Sequence, residues 1–371
     1  MNVLVTGGAG FIGSHLVDSL VEKGHNVRII DSLVEQVHGG SRPPHLNTDA
    51  EFIHADLCDP DGVERVLDGV EVVYHQAAEV GIGQSMYEIV RYVRGNALGT
   101  AVLLEEMTRR AGQFKKLVVA STMSIYGEGA YHCPACRVDS HPGVRPDEQF
   151  EAHQWEFKCE TCGSDLKPIG TDEHKPIFPT SIYAASKLDQ ENYSLAIGRA
   201  YKIPTVALRY FNVYGTRQAL SNPYTGACAI FSSRLLNDKP PAIFEDGGQS
   251  RDFTHVSDIV QANLLAGDSD DCDYESFNIG TGKGTSIKRI AQLIAAGLGK
   301  NIEPDIVGKY REGDIRHCLA DISKARKMLG YEPKIALEAG LSELLDWVRG
   351  QQPDDRLESA TAELSARSLV K

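Results

Sequence analysis

The feature that most constrains the fold is VLVTGGAGFIG near the start of the chain. There Gly7, Gly10 and Gly13 follow a short aliphatic run and open an amphipathic stretch, FIGSHLVDSLVEKG. A strand that turns on glycines into a helix presents free N–H groups at the helix N-terminus with no Cβ in front of them, an arrangement that admits a pyrophosphate. The next apolar run, NVRIID, ends at Asp31. A carboxylate there can accept hydrogen bonds from adenosine ribose hydroxyls and would repel a 2′-phosphate. Ser32 and Leu33 supply no basic partner for such a phosphate. The turn, with Phe11 and Ile12 beside its glycines, is therefore expected to bind NAD rather than NADP.

From Asn2 to about Val119, short apolar runs alternate with longer helical patterns, which predicts an α/β fold with a doubly wound parallel sheet of the Rossmann kind. Between Gly127 and Tyr183 the alternation stops and proline, charge and cysteine replace it. Regular patterning resumes with a helix through SKLDQENYSLAIGRAYK and a strand TVALRYF. The expected organisation is a Rossmann NAD-binding part over 1–127, an inserted zinc-ribbon-like module over 128–175, the rest of the NAD-binding core over 176–220, and, mainly over 221–350, a smaller α/β substrate lobe. The polar stretch 351–371, without bulky apolar periodicity, is expected to be a flexible tail.

The insertion carries Cys133-Pro-Ala-Cys136 and Cys159-Glu-Thr-Cys162, separated by the 22 residues 137–158. Two CxxC turns can close a tetrahedral thiolate shell, so a structural zinc in a ribbon-like module is expected. A redox or disulfide-prone pair, or replacement of one ligand by His132 or His153, stays open. A catalytic metal is not expected, since four thiolates leave no free position.

The formal charge of -13 disfavours nucleic-acid binding. Lys283, Lys288, Arg289, Arg311, Arg316, Lys324 and Arg326 are spread over separate elements and read as solvated faces. No apolar run is long enough to span a bilayer and no charged leader precedes the first strand, so a cytoplasmic protein with no membrane partner is expected.

In SIYAASK, Tyr183 and Lys187 share one helical face, where an ammonium near a phenol would favour proton exchange near neutral pH. With TGGAGFIGSHL, HADLCD, HQAA, NALGT, VVASTMSIYG, LRYFNVYG, EDGGQSRDFTHVSD, FNIGTG and REGD in that order, the chain resembles the extended short-chain dehydrogenase/reductase family, whose members modify nucleotide sugars. The resemblance covers roughly residues 2 to 345. It implies Tyr183 as catalytic acid/base, Lys187 as its partner and a ribose ligand, and Thr122 as the hydroxyl that shares the hydrogen bond to the sugar O4. Asp56 and Leu57 would lie by the adenine, Gln76, Ala77 and Ala78 by the nicotinamide, and Asn96 would support the cofactor side from a neighbouring helix. Asn212, Arg251 and Arg311 would hold the substrate pyrophosphate. Gln76 departs from the apolar residue usual in the HQAA segment. The resemblance also implies a homodimer through helices near 84 to 110 and 184 to 201.

Family dehydratases and decarboxylases carry an acid before the YG of the segment that here reads STMSIYG. Met123 and Ser124 occupy those places, and neither is an acid or base near pH 7. NAD-dependent 4-epimerisation through a transient 4-keto sugar is what remains. AAEVGIGQSMYEI and the CPAC pair most resemble members acting on dTDP-L-rhamnose, giving dTDP-6-deoxy-L-talose. A UDP-glucose/UDP-galactose substrate, an NAD-dependent nucleotide-sugar dehydrogenase or reductase, and a non-catalytic NAD-sensing scaffold are the alternatives.

Overall fold

A computed structural model describes residues 1–311 and 313–371, so Glu312 of the REGD motif lies outside the described residues. Seven parallel strands form the main sheet in the spatial order Ser276–Ile279, Thr205–Tyr210, Lys116–Thr122, Val72–His75, Asn2–Thr6, Asn26–Asp31, Glu51–His54. The order reverses between Asn2–Thr6 and Val72–His75, and a crevice at such a switch point is where this class of sheet receives ligands. Both faces are covered: Val3, Val5, Ile29 and Val118 enter one core, while Leu4, Ile30, Leu117 and Val119 enter the other. That alternation is the two-residue period of a strand, read on a sheet buried on both sides.

The chain does not divide into the consecutive blocks expected. Residues in the stretch read as substrate lobe return to the main sheet, with the helix Val256–Asp268 packed on it and Ser276–Ile279 as its edge strand. The helix expected near 84 to 110 is interrupted by a π-helical segment, Val93–Leu98, ahead of Gly99–Thr108.

The insertion is likewise no separate body. Ala130–Cys133 and Val138–Ser140 form a hairpin, Ala130–Cys133 pairs with Lys167–Thr171, and Lys167–Thr171 pairs parallel with His317–Ala320. The insertion thereby extends the sheet of the smaller lobe, which also contains Ser250–His255 and Asn212–Tyr214. A buried charge network fastens the join. Arg145 of the insertion donates to both carboxylate oxygens of Glu245 at 2.6 and 3.1 Å, and Arg316 donates to Glu245, Asp246 and Glu156. Arg316, expected on a solvated face, is thus one of the most deeply buried side chains, because five hydrogen bonds to three carboxylates replace its water. Glu245 itself sits at φ +53°, a left-handed conformation in which a non-glycine residue is held only by its surroundings.

Residues 351–371 are also placed differently from the tail expected. They carry a helix, Leu357–Ala366, with Ala360 and Leu364 buried, and Val370 is buried beyond it. The inward residues follow an i, i+3, i+7 spacing, a narrow stripe built from few and small apolar groups that composition alone reads as polar. Among the described residues no helix is long and apolar enough to cross a membrane.

Arg145→Ala removes one of two arginines from a buried carboxylate and is expected to destabilise the protein by about 3 kcal/mol. Adding Glu245→Gln should restore part of that loss, because the charge left under-compensated is gone. Denaturant midpoints of the wild type, the two single variants and the double variant measure both effects.

Candidate active site

A cavity of about 1070 Å³ opens at the C-terminal edge of the main sheet and is shared with the smaller lobe. Its walls include Gly7, Gly10, Phe11, Ile12, Gly13, Asp31, Asp56, Leu57, Gln76, Ala77, Ala78, Thr122, Tyr183, Lys187, Asn212, Arg251 and Arg311. The residues picked from the sequence for cofactor and substrate therefore meet in one place, with Asn96 the exception.

The glycine turn is tight for a reason that the coordinates make explicit. Gly7 has φ +67°, and a Cβ there would lie 2.7 Å from the Ala77 Cα, while a Cβ on Gly13 would collide with the Gly7 carbonyl oxygen. The turn is thus pressed against both the helix it opens and the loop after Val72–His75, leaving backbone rather than side chain on the cavity side. Asp31 accepts hydrogen bonds from the N–H of Ala9 at 3.1 Å and of Leu33 at 2.9 Å, and His38 lies 3.7 Å away. Its carboxylate thereby braces the turn from the lip of the cavity. A glycine cradle, an acid at the strand end and no basic residue at Ser32 or Leu33 fit an NAD adenosine diphosphate.

Tyr183 and Lys187 stand in the first turns of the helix Ile182–Tyr201, whose N-terminus is capped by the Ser181 hydroxyl accepting from Ala184 N–H at 3.1 Å. Thr122 ends the strand Lys116–Thr122, and its Oγ1 accepts from the Ser124 N–H at 3.1 Å. Burial raises the Tyr183 phenol above its usual value, and a hydrogen bond with the Thr122 hydroxyl opposes that rise. Burial also lowers the Lys187 ammonium to about 7, partly offset by the nearby Glu191 carboxylate. Lys187 Nζ donates to the Ala120 carbonyl and to Gln190 Oε1, both at 2.5 Å. The lowering of the phenol expected from a neighbouring ammonium is therefore absent in this arrangement, because Lys187 is directed at the strand and at Gln190.

Asn96 lies behind the cavity wall. It is fully buried, accepts from Glu79 N–H at 2.7 Å, and donates to the Glu79 carbonyl and to Ser186 Oγ. It ties the loop that carries Ala77 and Ala78 to the helix that carries Tyr183. Gln190 does similar work: it meets His75 at 2.6 Å and the Ala77 carbonyl at 3.3 Å, and His75 is held neutral by burial, which lowers it to about 3. The amide of Gln76 accepts from Tyr210 OH and donates to Asn263 Oδ1, so the departure in HQAA is accommodated by polar partners. Sequence reasoning passed over Gln190, Tyr210 and Asn263. A run of polar residues on an otherwise buried helix face was the available signal for Gln190.

On the other side of the cavity, Asn212 Oδ1 is buried without a hydrogen-bond partner in the protein. Arg251 is clamped by the carbonyls of Ser250, Ile315 and Arg316, and Arg311 lies over the Phe244 ring with Nε 2.9 Å from Asp314. In the STMSIYG turn, Met123 is buried and the Ser124 hydroxyl accepts from Thr122 Oγ1 at 3.2 Å.

The four cysteines of the insertion converge outside this cavity. Their sulfurs all lie within 4.8 Å of one another, with Cys133 to Cys162 at 3.6 Å and Cys136 to Cys159 at 3.8 Å. The Cys136 N–H donates to Cys133 Sγ at 3.3 Å. Neither histidine joins them: His132 bonds Asp139 at 2.7 Å and His153 packs against Trp155.

Residues 3–155 match the model of the NAD dependent epimerase/dehydratase family and residues 160–344 that of GDP-mannose 4,6 dehydratase. A dTDP-L-rhamnose 4-epimerase of Burkholderia thailandensis is 36% identical over 93% of this chain and 94% of its own length. A UDP-glucose 4-epimerase of Thermotoga maritima, solved with UDP-glucose, superposes with a TM-score of 0.77 at 34% identity, covering 94% of this chain and 99% of that one. A UDP-glucuronic acid 4-epimerase of Bacillus cereus, solved with UDP-glucuronic acid and NAD, gives a TM-score of 0.74 at 30% identity over 94% and 99%. With its parallel sheet, glycine cradle and Tyr183–Lys187 helix, the chain belongs to the NAD dependent epimerase/dehydratase family, the extended short-chain dehydrogenases/reductases.

Proposed function

We propose that the protein is an NAD-dependent nucleotide-sugar 4-epimerase that interconverts dTDP-L-rhamnose and dTDP-6-deoxy-L-talose. The observation that carries the reaction type is the meeting of Thr122 and Tyr183 in a cavity whose adjoining STMSIYG turn contributes Met123 and Ser124 in place of an acid. Without that acid, the chemistry left to the site is proton exchange at the sugar C4 hydroxyl. NAD, when bound, supplies the reversible hydride store that inversion through a 4-keto sugar needs, so no outside oxidant or reductant is consumed. Gly7, Gly10, Phe11, Ile12 and Gly13 would hold its pyrophosphate, Asp31 its ribose, Asp56 and Leu57 its adenine, and Gln76, Ala77 and Ala78 its nicotinamide end. Asn96 holds the last of these segments in place.

Tyr183 would take the proton of the C4 hydroxyl and, once the keto sugar has turned over in the cavity, return it to the same oxygen, with Thr122 orienting that oxygen. Burial keeps Tyr183 a phenol in the unloaded protein, so it would shed its own proton before acting as a base, and Lys187, on the same helical face, would support the phenolate once the ligands are bound. Asn212, Arg251 and Arg311 would take the pyrophosphate. The substrate choice rests on the similarity to the Burkholderia enzyme. UDP-glucose/UDP-galactose is the second reading, favoured by the Thermotoga structure.

The cysteine cluster fits a structural zinc. A tetrahedral shell with Zn–S near ~2.3 Å puts sulfurs ~3.8 Å apart. Two of the separations, 3.6 and 3.8 Å, match that spacing, all four sulfurs lie within 4.8 Å of one another, and all four thiols are free. A homodimer is supported by apolar residues left at the surface of the helices expected to pair: Ile89, Val90, Val93 and Leu98 on one side and Tyr193 on the other.

Purified protein without added NAD, followed by NMR, should invert dTDP-L-rhamnose at C4 and leave UDP-galactose unchanged. Tyr183→Phe should lower the rate by about 10³-fold. Inversion of UDP-galactose instead would overturn the substrate assignment, and release of a keto product with stoichiometric use of added NAD would overturn the reaction. Replacing Cys133 and Cys159 with Ser should remove one zinc per chain by atomic emission and lower the melting temperature by several degrees, with bound NAD retained. Unchanged zinc content and melting would exclude the metal site.

A further inference from the structure

We infer that the segment 353–371 is a strap that completes the substrate half of the cavity, with Leu364 as its positioning residue. This rests on the reading of that cavity as a nucleotide-sugar site. The strap reaches the cavity from outside both lobes and is fixed at each end. At its start, the Pro353 carbonyl accepts from Asn237 Nδ2 at 3.0 Å, and the buried Asp355 pairs with Arg234 and Lys239 at 3.1 Å. At its end, Tyr310 and Lys371 exchange two backbone hydrogen bonds of 3.0 and 3.1 Å and Val370 pairs with Arg311, the arginine assigned to the substrate pyrophosphate.

Between the two anchors, the helix Leu357–Ala366 turns Leu357, Ala360, Thr361 and Leu364 to the cavity. Leu364 also closes a crevice with Ile82, Gly83, Arg311 and Asp314, and a Cβ added to Gly83 would lie 3.3 Å from its methyl groups. It therefore packs on Gly83, in the short helix Ile82–Ser85, and lines the same crevice as the substrate arginine. On its outer side the helix is held more lightly, by Arg367 over the Tyr87 ring at 4.3 Å and by Glu363 to Tyr87 OH at 3.3 Å. Few buried apolar groups and exposed polar contacts mark an element that opens at low free-energy cost. A wall that opens easily, lines the ligand space and carries the backbone partner of Arg311 lets a nucleotide sugar enter and then orders around it.

The test uses the NAD-loaded protein and titrates dTDP and UDP, following whichever the wild type binds more tightly. A chain ending at Gln351, and the full chain carrying Leu364→Asp, should each bind that nucleotide about tenfold more weakly. In turnover the loss should fall on KM rather than kcat, while NAD content is kept. In the wild type, the nucleotide should slow amide exchange across Leu357–Ala366. Affinities within twofold of wild type, or exchange that the nucleotide leaves unchanged, overturn the strap and leave the epimerase reading standing. A wild type that binds neither nucleotide overturns the nucleotide-sugar reading and the strap with it.

Discussion

The site depends on one buried ion pair. Glu191 and Arg209 meet at 2.6 Å beneath the helix that carries Tyr183 and Lys187. Glu191 also accepts from Ser121 Oγ at 2.5 Å and Ser276 Oγ at 2.9 Å, and Arg209 donates to Tyr126 OH at 2.7 Å. Five pieces of structure are joined there: the Tyr183 helix, the strand ending in Thr122, the strands Thr205–Tyr210 and Ser276–Ile279, and the turn after Thr122. A buried charge of this kind is costly unless every partner is present, so the pair gives little stability of its own but tolerates few alternative arrangements. The relation of Thr122 to Tyr183 is fixed by neighbours of both residues more than by any contact between them.

A comparable device joins the cysteine insertion to the rest of the chain. Glu245 lines the cavity, and its charge is balanced by Arg145 from the insertion and Arg316 from the smaller lobe. Phe150 of the insertion stacks on Tyr310 at 4.4 Å, one residue from Arg311. The insertion thus reaches the substrate wall by charge and by ring stacking, while the cysteine cluster holds its own small core of Tyr131, Cys133, Phe157, Cys159 and Leu166. A metal there would act on the reaction through this wall, by keeping Arg145 and Phe150 in position, with no role at the reacting atoms.

Much of this was legible from the residues. The glycine turn, the strand ending at Asp31 and the Tyr183–Lys187 spacing are local patterns, and local patterns fix local geometry. The four cysteines could be paired as a cluster for the same reason. The parts that were not legible depend on long-range partners. Arg316 reads as a surface cation until Glu156, Glu245 and Asp246 are brought around its guanidinium by turns far apart in the chain. The strap reads as a tail because Leu357, Ala360 and Leu364 are few among polar residues, and covering them needs a surface that only the assembled cavity provides. The setting of Tyr183 was hidden for a related reason: spacing on a helix brings an ammonium near a phenol, but the burial of both groups and the partners of Lys187, Gln190 and the Ala120 carbonyl, come from elsewhere in the fold.

That last point bears on how the site is poised. Burial brings Lys187 down to about 7 and raises Tyr183, so in the unloaded protein each group's charged form is disfavoured. Two desolvated groups of opposite acid–base character each disfavour their own charge, and each would favour the other's if both ionised together. Positive charge arriving in the cavity stabilises a phenolate, and negative charge stabilises an ammonium. The ligands the cavity is shaped for bring both, so the acid–base state that the chemistry requires is a property of the loaded site, and the protein's part is to keep both groups dry and aimed until the ligands arrive.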